Sequence, residues 1–397
     1  MHLTRRTLLA SGLSAVLAPP LAWAGGWAAV EAEARGQTVY FNAWAGSEAI
    51  NAYIAWAGGE LQSRRGVTLV HVKIADTAEA VRRVRDEVAA GKKDGSADLV
   101  WINGENFHAM KADGLLFGPF AEALPNFKFV DVEDKPTTRM DFAEPVEGLE
   151  SPWGMAQLTF FGDGRMFSAY PPQSVGQILQ FASENAGRVT YPAPPDFHGT
   201  TFIKQVLIET IADTAVLARP VAREAFVAAA KPAWAYLDLL HPHLWRGGKQ
   251  FPQSQAQMTQ MFADGELLMA FTFNPNEPAN LVASGQLPAT TVAWQHKNGT
   301  IGNTHFVAIP INARAKAAAQ VAANFLLSPQ AQARKADLKI WGDPTVLALS
   351  KLSPEDRKLF AATGVPGSVA YPAPALPEPH ASWVPLIEAA WLERYGA

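Results

Sequence analysis

The side chains in this 397-residue sequence that could hold a small molecule fall into separate groups. Trp44 and Trp153 offer large rigid rings for stacking or for facing a cation, each contact contributing roughly 0.5 to 2 kcal/mol. Ser47 closes the loop that Trp44 opens. Glu105, between Asn103 and Asn106, presents a carboxylate suited to an ammonium or thiazolium-like charge. Asp196, Thr200 and Thr201 stand where a helix begins, so free backbone N–H groups and hydroxyls there could grip a carboxylate or phosphate. Phe273 and Asn274 end a strand-like run. Each group also has a plainer use. The tryptophans could be core, Glu105 a first-turn helix acid, Thr200 a cap, and Asn274 to Asn276 an Asn-Pro turn.

Reaction chemistry is weakly signalled. Gly-x-Ser-x-Gly, His-Glu-x-x-His and the P-loop are all missing, so no catalytic residue is assigned and no cofactor is expected. There is no cysteine, which removes disulfides and thiolate sites together. His241-Pro242-His243 has a metal-like spacing but no third ligand at helical distance, so it reads as a solvated turn and no metal site is assigned. With 33 basic and 37 acidic residues interspersed, no basic stripe offers itself to nucleic acid.

The elements that must position these groups alternate. Thr38 to Asn42 reads as a strand followed by the Trp44–Ser47 loop and a helix. Val67 to Ile74 reads as a second strand, with Asp76-Thr77 capping a helix from Ala78 to Ala90, and Asp98 to Ile102 as a third strand. Strands alternating with helices imply a parallel sheet whose carboxyl edge gathers ligands, so the Trp44 and Asn103–Asn106 loops share one edge. A strand-like run from Pro152 to Phe161 leaves this unit. A second unit holds Val189 to Tyr191, a helix from Gly199, a helix from Gln255 to Ala263 and a strand from Leu267 to Phe273. A return near Gly302 to Ile311 leads back. The reading is a leader over 1–24, a discontinuous first lobe over 37–151 plus 304–397, and a second lobe over 152–303. The hinge is expected near Glu150 to Trp153 and Gly302 to His305. The leader has Arg5-Arg6, an apolar run and Ala22-Trp23-Ala24, the layout of an export signal of twin-arginine type.

Three passages carry a family resemblance: Phe262 to Phe271; His305-Phe306-Val307-Ala308-Ile309-Pro310 with Phe325-Leu326-Leu327-Ser328-Pro329; and Ile102 to Phe107 with Gly114 to Pro119. The chain resembles the extracellular solute-binding proteins of ATP-driven importers, a group with iron-, polyamine- and thiamine-binding members, and is similar to their YnjB-like branch. The resemblance implies an α/β, type II periplasmic-binding-protein fold, with two lobes, a ligand cleft between them and crossing strands as hinge. It also implies a periplasmic, non-enzymatic monomer that passes a small solute to an ABC permease and its ATPase subunit. The expected solute is a thiamine-like organic cation, with polyamine, an organic anion or a sugar as alternatives. A ferric site is unattractive because the chain has no Tyr-Tyr pair. From another class, a periplasmic cofactor enzyme exported folded stays open, as does a sensory receptor without transport.

Overall fold

Thr38–Trp44 is a β-branched and aromatic run whose middle is buried on both sides, as a central parallel strand requires. It lies between Thr68–Ile74 and Leu99–Ile102, parallel to both, with Thr38 opposite Thr68 and Phe41 opposite Leu99. The computed structural model describes residues 26–167, 170–360, 369 and 373–396; the expected leader lies outside the described residues. Asp76 caps the helix Thr77–Ala89 by accepting the Ala78 N–H at 2.8 Å. The strand and helix expectations therefore hold to within a residue or two at their ends in this half.

The connection between the two halves is a pair of antiparallel strands, Glu150–Gln157 and Thr300–Ala308, paired from Gly302 opposite Gln157 to Ala308 opposite Glu150 with one register shift between His305 and Phe306. The second of these also pairs antiparallel with Leu99–Ile102, so it completes the first sheet at one end while its other end leaves it. Gln157 N–H donates to the Phe273 carbonyl at 3.0 Å and Leu158 N–H to Ile301 at 2.8 Å. The outgoing chain thus changes sheets at Gln157–Leu158, a few residues beyond the expected Glu150–Trp153. For the same reason the run expected as one strand from Pro152 to Phe161 is two, Glu150–Gln157 and Thr159–Asp163. The second sheet is three-stranded, with Thr159–Asp163 between Met269–Thr272 and Thr291–Trp294, all antiparallel.

Each sheet has its own core. One gathers Phe41, Tyr53, Trp153, Val307 and Leu326; the other gathers Phe160, Phe161, Phe202, Leu237 and Trp294. The motif Leu326-Leu327-Ser328-Pro329 is a break between the helices Lys316–Leu326 and Pro329–Ala336: Ser328 Oγ accepts the Ala331 N–H at 3.2 Å and Pro329 opens the next helix.

The terminal segment departs from expectation. The helix Trp383–Tyr395 buries Trp383, Ile387 and Trp391 in the second core, so 304–397 does not belong wholly to the first lobe. A strap beginning at Ala373 carries the chain across, and Ala375–Leu376 pairs in parallel with Thr300–Ile301. The helix is pinned by polar tips on buried rings: Trp391 Nε1 donates to the Tyr191 hydroxyl at 2.8 Å, which stands 2.6 Å from His241 Nε2. His241 is therefore buried and hydrogen-bonded and not in a solvated turn, and burial pushes its pKa down to about 4. Tyr191→Phe removes the shared hydroxyl and orphans both partners, so its urea midpoint falls by the equivalent of about 1–3 kcal/mol. An unchanged midpoint would show that the terminal helix is held some other way.

Candidate solute site between the lobes

Helix Gly104–Ala112 begins at the carboxyl end of strand Leu99–Ile102, which puts Glu105 at the first-lobe edge. The residue before it, Asn103, occupies the cap position without making a side-chain cap hydrogen bond, and Ser47 does the same at the helix Glu48–Arg65. Two good capping residues whose side chains are not spent on their own helices leave polar groups free at that edge. Asn106 Nδ2 donates weakly to Glu105 Oε1 at 3.4 Å. Gly104 takes a left-handed φ of 60° and lies tight against the Phe142 ring, while its N–H donates to Asp141 Oδ2 at 2.6 Å. Phe142 in turn packs with Ala381, Val384 and Phe197, joining a first-lobe hairpin to the terminal helix and the second lobe.

Across the junction, Lys204 of helix Phe197–Thr210 is 1% exposed and pairs with Glu378 of the strap at 2.6 Å. Asn303 Nδ2 donates to the other Glu378 oxygen at 3.0 Å. Lys204 also faces the rings of Phe142 at 4.4 Å and Phe197 at 5.4 Å. Burial pushes the Glu378 carboxyl up and the ammonium pulls it back; the short contact and the second donor favour an ionised pair. Glu388, on the terminal helix, accepts the Thr200 hydroxyl at 2.9 Å. Its pKa is pushed up to about 7, first by burial and further by Glu105 and Asp76, with Thr200 and Lys204 opposing. Burial likewise raises Glu105, against its own backbone N–H and Lys204 and with Glu378 and Asp76 adding to the rise. Glu105 and Glu388 thus stand on elements of opposite lobes, near enough for the Glu105 carboxylate to raise Glu388, and the nearby cation already has a partner.

The other expected positions divide. Thr200 joins the acids through its hydroxyl, and Thr201 is buried with its Oγ1 unpartnered among the described residues. Trp44 is partly buried against the first core, with Gly46 folded onto its ring. Trp153 is fully buried in T-shaped contact with Trp101 at 4.9 Å and Trp341 at 5.5 Å, so it is core and not a cleft wall. Asp196 is spent as a cap, accepting from His198 and Gly199 N–H at 2.9 and 3.1 Å. Phe273 is buried against Phe197 at 5.2 Å.

Asn274 ties the lobes directly. Its Nδ2 donates to the Trp341 carbonyl at 3.1 Å, and Asn276 Nδ2 to Gly342 at 2.6 Å. The turn they grip is anchored below by Asp343, held between His305 Nε2 at 2.9 Å and the buried Lys335 ammonium. Asn274 is thus an inter-lobe tie, not a ligand for solute. Sequence reasoning missed Lys204, Asn303, Glu378 and Glu388. Lys204 did leave a signal, a lone cation inside the apolar run Phe202-Ile203-Lys204-Gln205-Val206-Leu207. Glu388 left none, because its helix was assigned to the other lobe.

This geometry sits within a known family. Residues 56–361 match the family described as bacterial extracellular solute-binding protein. The chain is 48% identical over 374 residues to Protein YnjB of Escherichia coli (strain K12), covering 94% of this chain and 95% of that one. A periplasmic thiamin binding protein superposes with a TM-score of 0.61 at 15% identity, over 90% of this chain and 95% of that one. The periplasmic binding protein AfuA from Actinobacillus pleuropneumoniae, with fructose-6-phosphate bound, gives 0.61 at 15% over 91% and 99%, and a ferric binding protein from Campylobacter jejuni 0.61 at 13% over 90% and 98%. These structures share the type II fold of two lobes joined by crossing strands, and the family's members are binding proteins that work with an ABC permease and ATPase, not enzymes. The chain belongs to the bacterial extracellular solute-binding protein family.

Proposed function

We propose that the solute is an organic cation with an aromatic part, thiamine being the leading example, held between Glu105 of the first lobe and Glu388 of the terminal helix. The observation that carries this is the surplus of carboxyls at the lobe junction. Lys204 is paired with Glu378, while Glu105 raises the Glu388 carboxyl, both acids lie above the ordinary carboxyl value, and neither has an ion-pair partner among the described residues. An anion would meet these acids with no free ammonium to receive it, and a sugar would leave their charge uncompensated. Closing the lobes presses the two acids together, so a bound cation relieves a repulsion that otherwise opposes closure. Trp44, Ser47, Asn103 and Asn106 border the same edge and supply a ring and neutral hydrogen-bonding groups. A polyamine is the second reading, favoured by the presence of more than one acid. Monomeric action, export through the twin-arginine leader and delivery to the importer from the periplasm complete the proposal.

A thermal-shift screen checks it, because a ligand at about 100 times its dissociation constant stabilises by roughly 2.7 kcal/mol. Thiamine is expected to raise the melting temperature, and Glu105→Gln or Glu388→Gln to weaken its binding by about tenfold or more, the loss of at least about 1.4 kcal/mol of charge pairing. A rise with anions or sugars alone would sink the cationic solute while leaving the family role intact.

The pH dependence has a definite sign. Glu388 sits above the ordinary carboxyl value, so the folded protein takes up its proton as pH falls through about 7. Cation affinity therefore drops below pH 7, by up to about tenfold per unit where that proton must leave. In the ligand-free protein the destabilisation from Glu388 is full at pH 8, begins to shrink as pH falls through about 7, and vanishes only below the ordinary carboxyl value. Glu388→Gln, whose amide oxygen can still accept from Thr200, should be more stable than the parent at pH 8, with the advantage shrinking toward pH 6. An advantage that grows on acidification would contradict the assignment.

A further inference from the structure

Away from the lobe junction, the first lobe contains a cavity of about 120 Å³ lined by Ala121, Phe127, Thr138, Arg139, Val146 and Glu150, among others. Glu150 opens the outgoing crossing strand and is 0% exposed, yet neither of its carboxyl oxygens has a partner among the described residues. The other charges around the cavity are spoken for. Arg139 is held by Glu122 at 3.0 Å on the exposed rim, and Glu147 by Lys111 at 3.2 Å. The Thr138 hydroxyl donates to the Lys135 carbonyl at 2.7 Å, which leaves it an acceptor toward the cavity. An isolated buried carboxyl is costly and is normally matched by a donor or a cation.

We propose that this cavity is a second binding site, for a small primary alkylammonium ion whose charged end meets Glu150 and whose carbon end lies against Ala121, Phe127 and Val146. The volume is well below the roughly 300 Å³ at which sites for larger ligands begin, so the occupant is smaller than the solute of the junction. Burial raises the Glu150 carboxyl well above its ordinary value, with Asp141 and Glu144 adding to the rise and Lys111 opposing it; an ammonium in the cavity would let it ionise. Glu150 opens the outgoing crossing strand at the end away from the sheet change at Gln157–Leu158.

The test is melting temperature against ethylammonium chloride, with sodium chloride at matched ionic strength as control, in a Glu105→Gln background that weakens the junction site. A saturable rise of several degrees with ethylammonium, absent with sodium and abolished by Glu150→Gln, is expected. Glu150→Gln should itself melt higher than its parent in sodium chloride, since the cost of holding a buried, unpartnered carboxyl has been removed. Ala121→Val, which narrows the cavity and keeps the carboxyl, should also lose the response, and serves if Glu150→Gln does not fold. A response that survives Glu150→Gln or Ala121→Val, an equal rise with sodium, or no saturable rise would overturn the proposal.

Discussion

The buried contact between Lys204 and Glu378 is the interaction on which the arrangement turns. An ammonium at 1% exposure is tolerable only with a carboxylate against it, and removing either member of such a pair typically costs about 3–5 kcal/mol because the other is left uncompensated. Here the pair joins three parts of the chain that are distant in sequence: the second-lobe helix Phe197–Thr210, the strap, and through Asn303 the returning crossing strand. The same ammonium faces Phe142 of the first lobe. One satisfied charge therefore fixes where the strap runs, and the strap delivers the terminal helix to the second core.

That placement has an electrostatic consequence. By pairing with Lys204, the strap leaves Glu105 and Glu388, one from each lobe, without an ion-pair partner among the described residues. Repulsion between them is weak in water and strong where burial lowers the effective dielectric, so it grows as the lobes approach. The asparagine ties from Asn274 and Asn276 to Trp341 and Gly342 work in the opposite sense, joining the lobes beside the crossing strands. Under the proposed function, a hinge balanced in this way would close when a cation removes the repulsion and open when it leaves.

Much of this was legible in the residues. The strands Thr38–Trp44, Thr68–Ile74 and Leu99–Ile102 are compact β-branched runs with turn or cap signals between them, and the break at Ser328-Pro329 falls in a passage that the family resemblance had marked. Glu105 could be singled out because it follows a strand end. What the residues did not reveal was long-range. Trp153 has the same local signature as a cleft tryptophan, and only its packing against Trp101 and Trp341 shows it to be core. Asp196 and Asn274 are polar residues at element ends, and nothing local distinguishes a group spent on a cap or an inter-lobe tie from one left for solute. The terminal helix was assigned to the first lobe by chain order, whereas the second core takes Trp383, Ile387 and Trp391, and with that error Glu388 was hidden.

The most direct test of the central claim, that two carboxyls raised above their ordinary values receive a cation at the lobe junction, is a proton count. Calorimetric titration of thiamine into the protein at pH 7, repeated in buffers of different ionisation enthalpy, gives the number of protons exchanged on binding. Glu105 and Glu388 lie above their ordinary values and must ionise to pair with the cation, so net proton release is predicted, diminished in Glu388→Gln. Binding with proton uptake, or with no exchange in any buffer, would contradict the account.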